Sequence, residues 1–261
     1  MKLTFLGTGT SQGVPVIGCR CAVCCSEDRR DKRLRTSAMV EWRGRRFVID
    51  AGPDFRYQLL RTGVCRVDAI LLTHEHKDHI GGLDDVRALN FVDYPEAVRP
   101  VDIYATERTL EVVRKDFDYA FASNKYRGVP ELRLHAFSNE ESLQFGDAEI
   151  IPIAGHHSAR FEVTGFRFGA LAYLADFKTI EEREVEKLKG VEVLVINALR
   201  FKPHDSHFNV EEALELVRRI NPRHTYLTHM SHEMGLYVDS FDRLPEGVEL
   251  AYDGLEIELN D

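Results

Sequence analysis

Residues 69–79 read AILLTHEHKDH, a short apolar run followed at once by three histidines and two acidic residues. The apolar run predicts a buried strand. His74 and His76 are two residues apart, so in an extended segment their side chains point the same way. Asp78 and His79 then begin a turn, which can direct their side chains toward a second metal-binding position. Imidazole nitrogens and carboxylate oxygens bind Zn, Mn, Fe or Ni, so the spacing predicts ligands for two adjacent metal ions of the kind that promote hydrolysis.

The composition is that of a globular protein with a sizeable core: 261 residues, of which 44% are hydrophobic and 30% charged. No apolar run approaches the roughly 20 residues of a membrane-spanning helix, so we do not expect the chain to be a membrane protein. The N-terminal sequence MKLTFLGTGTSQG lacks the apolar core and cleavage site of a signal peptide, so we expect a cytoplasmic protein. No repeat, low-complexity tract or Pro/Gly/Ser-rich linker divides the chain, which predicts a single domain over residues 1–261.

The charge of the chain is acidic, with a formal net charge of −9. Such a chain lacks the positive field that holds nucleic acids by phosphate neutralisation, so any phosphate substrate must be held locally. The dense basic run at residues 29–35 is interpreted either as a solvated loop face or as a contact for an anionic substrate or nucleic acid.

Predicted strands alternate with predicted helices along the chain, which indicates an α/β fold. Strands are expected at 3–6, 38–42, 46–50, 69–73, 101–104, 142–145, 149–154, 165–168, 170–174, 191–196, 225–228 and 256–259. Helices are expected at 107–121, 179–190 and 210–220. The clearest helix is 210–220, where apolar residues recur at helical spacing behind Asn209, and Glu212 completes a capping box.

Four of the five cysteines crowd into seven residues near the N-terminus, too close together for a spread disulfide framework. Within GCRCAVC, residues 18–24, three thiolates at short spacing indicate a structural zinc site, which needs a fourth ligand. His232 is the candidate for that ligand. The predicted site consists of Cys19, Cys21, Cys24 and His232. The alternative is that these cysteines are free buried thiols, and Cys25 and Cys65 have no assigned role.

The histidine motif, preceded by IDAG at residues 49–52, resembles the metallo-β-lactamase superfamily. In that family a further His near mid-chain, an Asp at the end of a strand and a His near the C-terminus complete a dinuclear metal site. Here these residues are His157, Asp176 and His229. The resemblance covers nearly the whole chain. It implies an αββα sandwich of two mixed β-sheets flanked by helices, with the metals at the edge between the sheets.

The resemblance also implies the ligands and their support. Of the neighbours His156 and His157 only one can ligate, because they face opposite ways on an extended segment. His157 is chosen, since the family usually places the ligand just before a small residue. Asp176 is implied to bridge both metals and Asp50 to orient the ligand loop, although Asp50 could instead cap a hairpin end. The implied metal ligands are His74, His76, Asp78, His79, His157, Asp176 and His229.

The three cysteines and His232, together with the glycine-rich GTGTSQG at residues 7–13, resemble the cyclic-phosphate phosphodiesterases of the carbon-phosphorus lyase pathway. Those enzymes open a ribosyl cyclic phosphate. A His just before a helix lies in their active site, where it can contact the phosphoryl group or protonate the leaving oxygen, and here that residue is His207. Alternatively, His207 is a helix cap or an ordinary surface residue. Asp78 and His207 are the candidate catalytic residues, whereas His204 is given no role.

These features predict a metal-dependent hydrolase with two divalent metals, Zn or Mn, in the active site and one structural Zn. The expected reaction is hydrolysis of a small, cyclic phosphodiester by a metal-bridging hydroxide, and a homodimer is left open. One alternative is a transfer-RNA 3′-processing endonuclease, but residues 94–150 show no insertion of the arm that grips RNA. The other is a non-catalytic metal-binding or nucleic-acid-binding module that uses the basic run. Nucleic acid is therefore the less favoured partner.

Overall fold

The computed structural model describes residues 1–158 and 160–260, and the strands in these ranges form two sheets of seven strands each. The first sheet contains β1 (Lys2–Gly7), β2 (Ser37–Trp42), β3 (Arg45–Ile49), β4 (Ala69–Leu71), β5 (Val101–Ala105), β6 (Leu132–Ala136) and β14 (Glu256–Glu258). The second contains β7 (Leu143–Phe145), β8 (Ala148–Ser158), β9 (Phe161–Phe168), β10 (Leu171–Leu174), β11 (Val193–Asn197), β12 (His224–Thr228) and β13 (Val248–Leu250). Their spatial orders are β14-β1-β2-β3-β4-β5-β6 and β13-β12-β11-β10-β9-β8-β7.

Helices connect the strands. The α-helices are α1 (Ala22–Cys25), α2 (Phe55–Thr62), α3 (Lys77–Ile80), α4 (Arg87–Asn90), α5 (Glu107–Asp116), α6 (Asp118–Phe121), α7 (Glu182–Glu186) and α8 (Val210–Ile220). Short 3₁₀-helices lie at Arg29–Asp31, Leu83–Val86, His232–Met234 and Tyr237–Ser240. Across residues 1–158 and 160–260, no helix has the length and hydrophobicity needed to cross a membrane.

Both sheets are mixed. Strands β3 to β6 are parallel to one another in the first sheet, and β10 to β13 are parallel in the second. Ile49 at the end of β3 is level with Leu71 at the end of β4, and Asn197 of β11 is level with Thr228 of β12. Since parallel strands end at the same edge of a sheet, the loops that follow them are gathered there.

Alternating side chains of each strand enter two different cores, because successive residues point to opposite faces. In β3, Phe47 and Ile49 are buried between the sheets in one cluster with Phe166 and Phe168 of β9. Val48 belongs instead to the cluster that packs α2 and α5 on the outer face of the first sheet. Helices α7 and α8 cover the second sheet in the same way. The predicted αββα sandwich of two mixed sheets flanked by helices is confirmed.

The predicted helix at 210–220 is confirmed together with its capping box. Asn209 Oδ1 accepts a hydrogen bond from the Glu212 backbone N–H at 2.8 Å, and Glu212 Oε2 accepts one from the Asn209 N–H at 2.9 Å. The cap satisfies two helix N-terminal donors and fixes where α8 begins. It therefore anchors the chain two residues after His207.

Two other helices differ from the prediction. The helix expected at 179–190 extends only over Glu182–Glu186. It starts later than expected because Thr179 and His156 of β8 exchange backbone hydrogen bonds that hold Thr179 extended. The helix expected at 107–121 is broken at Phe117 into α5 and α6. In the first case tertiary pairing overrides a local capping signal.

The hairpin of β8 and β9 is longer than expected. The strands predicted at 149–154 and 165–168 extend to 11 and 8 residues, which places His157 inside a strand. The sequence patterns do not predict β6, β13 or α2. Each of these elements is short or carries a weak apolar pattern, so its formation depends on neighbours that the local sequence does not specify.

Candidate metal centre and active site

The residues expected to bind metals come together at one edge of the sandwich. His74 and His76 lie in the loop after β4, Asp176 lies just after β10, and His229 directly follows β12. His157 is the penultimate residue of β8. The parallel strand order therefore gathers side chains that are far apart in sequence.

The first group of ligand atoms comes from His74, His76, His157 and Asp176, which lie within 4.8 Å of one another. His74 Nε2 is 2.9 Å from His76 Nδ1 and 3.5 Å from Asp176 Oδ2. Three imidazoles and one carboxylate form a donor set that suits zinc and other divalent transition metals.

The second group comes from Asp78, His79, Asp176 and His229, again within 4.8 Å. His79 Nε2 is 3.1 Å from Asp176 Oδ2 and 3.2 Å from Asp78 Oδ2. His229 Nδ1 is 2.8 Å from Asp176 Oδ1. Asp176 belongs to both groups, which is the place that the sequence resemblance gives to a bridging ligand.

Three residues of this region adopt a left-handed backbone, which is uncommon for residues with a Cβ. The φ angle is 63° at Asp50, 63° at Asp176 and 54° at His229. Asp50 directly follows β3 and His229 directly follows β12. Such conformations cost about 1 kcal/mol or more each and persist where the surroundings fix them, often at functional sites. Here they turn the chain sharply where strands end and ligands begin.

Some buried polar atoms of the cluster would be satisfied by a bound cation. His79 Nε2 and Asp176 Oδ1 are enclosed and, within the residues that the structure describes, have no hydrogen-bond partner. Asp176 Oδ1 is near His229 Nδ1 but not in hydrogen-bond geometry. Unpaired buried polar atoms are costly, and several of them directed at one another are expected where a metal ion binds. The residues present therefore fit a pair of divalent cations.

Burial lowers the pKa of three histidines of the cluster, whereas at His79 the carboxylates of Asp78, Asp176 and Asp50 outweigh burial and raise the pKa well above its usual value. Burial lowers the pKa of His157 to about 4 and also lowers the pKa values of His74 and His229. These rings are therefore neutral near pH 7, the form in which imidazole binds metals. Burial opposes ionisation of Asp176, but the neighbouring imidazoles of His229 and His79 outweigh it and hold its pKa well below the usual range.

Asp50 supports His79 from behind the cluster. Its Oδ2 is 2.6 Å from His79 Nδ1, and both residues are fully buried. Thr73 donates to the same carboxylate through its backbone N–H at 2.8 Å and its hydroxyl at 2.9 Å. With Nδ1–H donated to Asp50, His79 presents Nε2 to the cluster. The structure places Asp50 where it can orient the ligand loop.

His157 and His156 occupy opposite faces of β8. His157 is buried in the ligand cluster, and its Nδ1–H donates to the Ser206 carbonyl oxygen at 2.7 Å, which leaves Nε2 free to ligate. His156 lines a separate cavity of about 340 Å³ with Glu162 and Glu184. The structure thus brings only His157 to the metal centre.

His207 lies beside the ligands without belonging to either group. Its Nε2 is 3.8 Å from Asp176 Oδ2, and its ring stacks on that of His229 with a centroid distance of 4.9 Å. The side chain is 12% exposed, so solvent or a substrate can reach it. This position suits a residue that contacts or protonates a substrate.

The cysteine cluster converges on His232. The Sγ atoms of Cys19, Cys21 and Cys24 are 3.2, 3.4 and 3.5 Å from His232 Nδ1. A hydrogen bond from the Cys24 backbone N–H lowers the pKa of Cys21 to about 6, whereas burial raises the pKa of the Cys24 thiol to about 11. Three thiolates can share this space only around a cation, and three Cys with one His is a zinc donor set. Cys25 is exposed and outside the cluster.

The basic run at 29–35 is largely engaged within the protein. Arg30, Arg33 and Arg35 each lie within 3.6 Å of a carboxylate of the chain. Arg33 is buried and donates to the Ser231 carbonyl oxygen at 2.9 Å. The run thus ties the N-terminal loop to the segment that carries both C-terminal histidines, which weighs against its use as a nucleic-acid surface.

Sequence reasoning missed several residues that contact the site. Thr10 Oγ1 is 3.2 Å from His229 Nε2, and His204 Nδ1 is 3.2 Å from His207 Nδ1. Thr36 Oγ1 is 3.1 Å from His229 Nδ1, across 193 positions of sequence. The glycine-rich run is a signal that could have located Thr10. No local signal connects Thr36 to its partner.

Comparisons with known proteins agree with this geometry. A sequence model of the family described as beta-lactamase superfamily domain matches residues 45–230. The crystal structure of a diphosphatase from the PhnP family is 41% identical, covers 99% of this chain and 98% of that chain, and superposes with a TM-score of 0.90. These findings confirm the predicted family and support the prediction of a metal-dependent hydrolase.

Two further relatives carry names of different activities. A protein of Porphyromonas gingivalis named octanoyltransferase is 40% identical over 258 residues, which are 98% of this chain and 51% of that protein. The chain therefore spans about half the length of that relative. Ribonuclease Z of Pyrobaculum aerophilum is 26% identical over 270 residues, covering 88% of this chain and 87% of that protein. From the match over residues 45–230 and the architecture above, the chain belongs to the beta-lactamase superfamily and has the metallo-β-lactamase fold.

Proposed function

We propose that the chain is a metal-dependent phosphodiesterase that hydrolyses small phosphodiesters, cyclic esters among them. The observation that carries this proposal is the pair of ligand groups joined at Asp176, with His207 at their rim. Phosphodiester hydrolysis needs positive charge at the phosphoryl oxygens and a proton for the leaving oxygen. The ligand groups and His207 can meet these two needs at one place.

The residues of the chain have separate tasks in this reaction. Five imidazoles and two carboxylates would hold two divalent cations, Zn or Mn, which would supply Lewis-acid polarisation of the phosphoryl group and lower the pKa of a water molecule. Asp78, whose side chain is 13% exposed, accepts a hydrogen bond from the attacking water. His207 donates a proton to the leaving oxygen. The Cys19, Cys21, Cys24 and His232 site would hold a structural zinc.

The substrate class follows from two sources. The sequence resemblance favours a ribosyl cyclic phosphate, and the 41% identical relative is a diphosphatase. A dinucleotide with a diphosphate linkage shares with a cyclic phosphate a phosphoryl group that carries two bridging oxygens, so this kind of diphosphate also lies within the proposed activity. The net charge of −9 requires that the phosphoryl group be bound by the site itself rather than by a general positive field.

A turnover panel tests the proposal. Protein reconstituted with Zn or with Mn is assayed on bis(4-nitrophenyl) phosphate, a ribosyl cyclic phosphate, a dinucleotide with a diphosphate linkage, a phosphomonoester and a β-lactam. We expect turnover of the first three classes and poor turnover of the last two. Asp176→Asn is the matched variant and should lose the activity. Metal-loaded wild type that cleaves the monoester or lactam but none of the diesters would contradict the proposal.

Transfer-RNA 3′ processing is the second candidate, favoured by the 26% identity to ribonuclease Z. Residues 94–150 hold β5, α5, α6, β6 and β7, so the segment expected to contain an RNA-gripping arm is largely made of elements of the sandwich. A precursor transfer RNA therefore belongs in the same panel. Cleavage at its 3′ side with no turnover of small diesters would favour this second function.

A further inference from the structure

Polar atoms of residues 204–207 converge on the ring of His207. His204 Nδ1 is 3.2 Å from His207 Nδ1. Ser206 Oγ is 3.1 Å from His207 Nδ1 and 3.2 Å from His204 Nδ1. The Ser206 backbone N–H donates to His204 Nδ1 at 3.3 Å. His204 belongs to neither ligand group, so metal binding does not explain these contacts.

The donor and acceptor roles in this cluster follow from the backbone N–H. A backbone N–H only donates, so His204 Nδ1 is an acceptor and carries no proton. His207 Nδ1 lies 3.2 Å from that acceptor, so we assign the proton of this contact to His207 Nδ1. The Ser206 hydroxyl oxygen, 3.1 Å from His207 Nδ1, can accept a hydrogen bond from the same N–H. Burial lowers the pKa of His204, which is consistent with a neutral ring protonated on Nε2.

We propose that His204 is a positioning residue that keeps a proton on His207 Nδ1 and so makes His207 Nε2 the atom that exchanges a proton with the substrate. This inference deepens the proposed function and rests on it, since it assigns the atom through which His207 acts. It agrees with the orientation of the ring, because Nε2 is the nitrogen that faces Asp176 Oδ2 at 3.8 Å.

The proton transfer is then fully specified. The attacking water provides the oxygen of the new P–O bond and loses one proton to solvent. The bond between phosphorus and the leaving oxygen breaks with its electron pair remaining on that oxygen, which takes the Nε2 proton of the His207 imidazolium. His207 is left neutral, with Nδ1–H still donated to His204 and Ser206. The acceptors on the Nδ1 side therefore keep the Nδ1 proton in place while Nε2 gives up its own.

The metal centre can be kept intact while His204 is changed. Besides the His207 ring, the Ser206 carbonyl oxygen contacts a proposed metal ligand, because it accepts from His157 Nδ1–H at 2.7 Å. A substitution of the His204 side chain retains that carbonyl. His204→Phe keeps a planar ring without an acceptor, whereas His204→Asn places an amide oxygen close to the former Nδ1. His224→Phe is the control, since His224 is exposed at the start of β12.

Nitrogen-15 NMR of histidine-labelled protein tests the tautomer directly, in both the zinc-loaded and the metal-free state. We expect neutral His207 to carry its proton on Nδ1 in the wild type and in His224→Phe. In His204→Phe the proton should move toward Nε2, and His204→Asn should restore it to Nδ1. A wild-type His207 protonated on Nε2, or a tautomer that does not change in His204→Phe, would overturn the inference.

Kinetics test the consequence. In His204→Phe we expect kcat to fall about 10- to 100-fold on diesters with alkyl leaving groups, with metal content unchanged and little change on nitrophenyl esters. His204→Asn should recover most of the activity, and His204→Phe should add no further loss to His207→Ala. Equal losses on both substrates, or additive losses with His207→Ala, would overturn the role. A wild type without diester turnover would instead overturn the proposed function, and the NMR comparison would still decide the tautomer.

Discussion

The Asp50 carboxylate holds His79 by a contact of 2.6 Å between Oδ2 and Nδ1, and neither side chain is exposed to solvent. Two donors from Thr73 keep the carboxylate in place. A carboxylate behind a ligating imidazole fixes which ring nitrogen faces the metal and raises the basicity of that nitrogen. We therefore expect Asp50 to influence metal affinity, although it lies in neither ligand group.

Asp50→Asn should therefore weaken metal binding at the dinuclear site by about 10- to 100-fold, because the amide no longer offers His79 a charged acceptor. The measurement is zinc affinity by competition with a chelating dye. Asp68→Asn is the control, since Asp68 accepts from Arg46 at the far end of the same strands. Equal affinities for Asp50→Asn and the control would show that Asp50 serves only to hold the hairpin end.

Metal content should be about three per chain, two in the dinuclear site and one at the thiolates. Asp176→Ala removes the carboxylate common to both ligand groups, so it should empty the pair and leave about one metal in the cysteine site. Elemental analysis after saturation and desalting gives these numbers. A fully loaded wild type with a single metal would be incompatible with the dinuclear site.

Cys21→Ser should lower the melting temperature and the activity together. The thiolate cluster joins the N-terminal loop to His232, three residues after His229, so loss of its zinc loosens a segment that carries a ligand of the other centre. Structural zinc contributes on the order of 10 kcal/mol in small domains, and less is expected in a large core. Cys25→Ser is the matched control because Cys25 is exposed and outside the cluster. Wild-type melting and turnover in Cys21→Ser would exclude a structural site.

Much of the metal centre could be predicted because its signals are local. His74, His76, Asp78 and His79 stand within six residues, and four ligand side chains at such short spacing indicate metal binding by themselves. His157, Asp176 and His229 could be assigned only through the family resemblance. His157 lies in β8, whereas Asp176 and His229 follow β10 and β12. No short segment of the sequence specifies the sheet order that brings these three residues together.

The contacts that sequence analysis missed depend on tertiary structure. Thr36 contacts His229 across 193 positions, and no local pattern distinguishes it from a surface threonine. The capping signal at Thr179 predicts the start of a helix, yet strand pairing with His156 holds this residue extended. The proposed role of His204 could not be predicted from the sequence either, although His204 and His207 are only three residues apart. It depends on a local conformation that brings the two rings to a centroid distance of 5.1 Å.

Asp253 should make stability depend on pH. It accepts from the backbone N–H groups of Thr8 and Leu34, both at about 3 Å, and burial raises its pKa to about 6. The folded chain therefore binds this proton more tightly than the unfolded chain. The contribution of this proton to the free energy of unfolding is complete below about pH 4. It is lost as the pH rises through about 6, which lowers the free energy of unfolding by on the order of 3 kcal/mol.

Urea unfolding of the zinc-saturated protein at a series of pH values measures this effect. Asp253→Asn is the reference, because it cannot titrate and shares every other ionisable group. The free energy of unfolding of the wild type, relative to the variant, should fall between about pH 4 and 7. A difference that stays flat or rises with pH would mean that the hydrogen bonds to Asp253 outweigh its burial.

His207→Ala tests the reaction itself. His207 lies outside both ligand groups, so the variant should keep its metals, whereas loss of a general acid should lower kcat by roughly 10²- to 10⁴-fold on diesters with poor alkoxide leaving groups. The loss should shrink with a nitrophenolate leaving group, which needs little protonation. Steady-state kinetics on matched alkyl and nitrophenyl esters, with metal content measured in parallel, separate the cases. Equal losses on both esters would make His207 a phosphate-binding residue, and no loss on either would place it outside the active site.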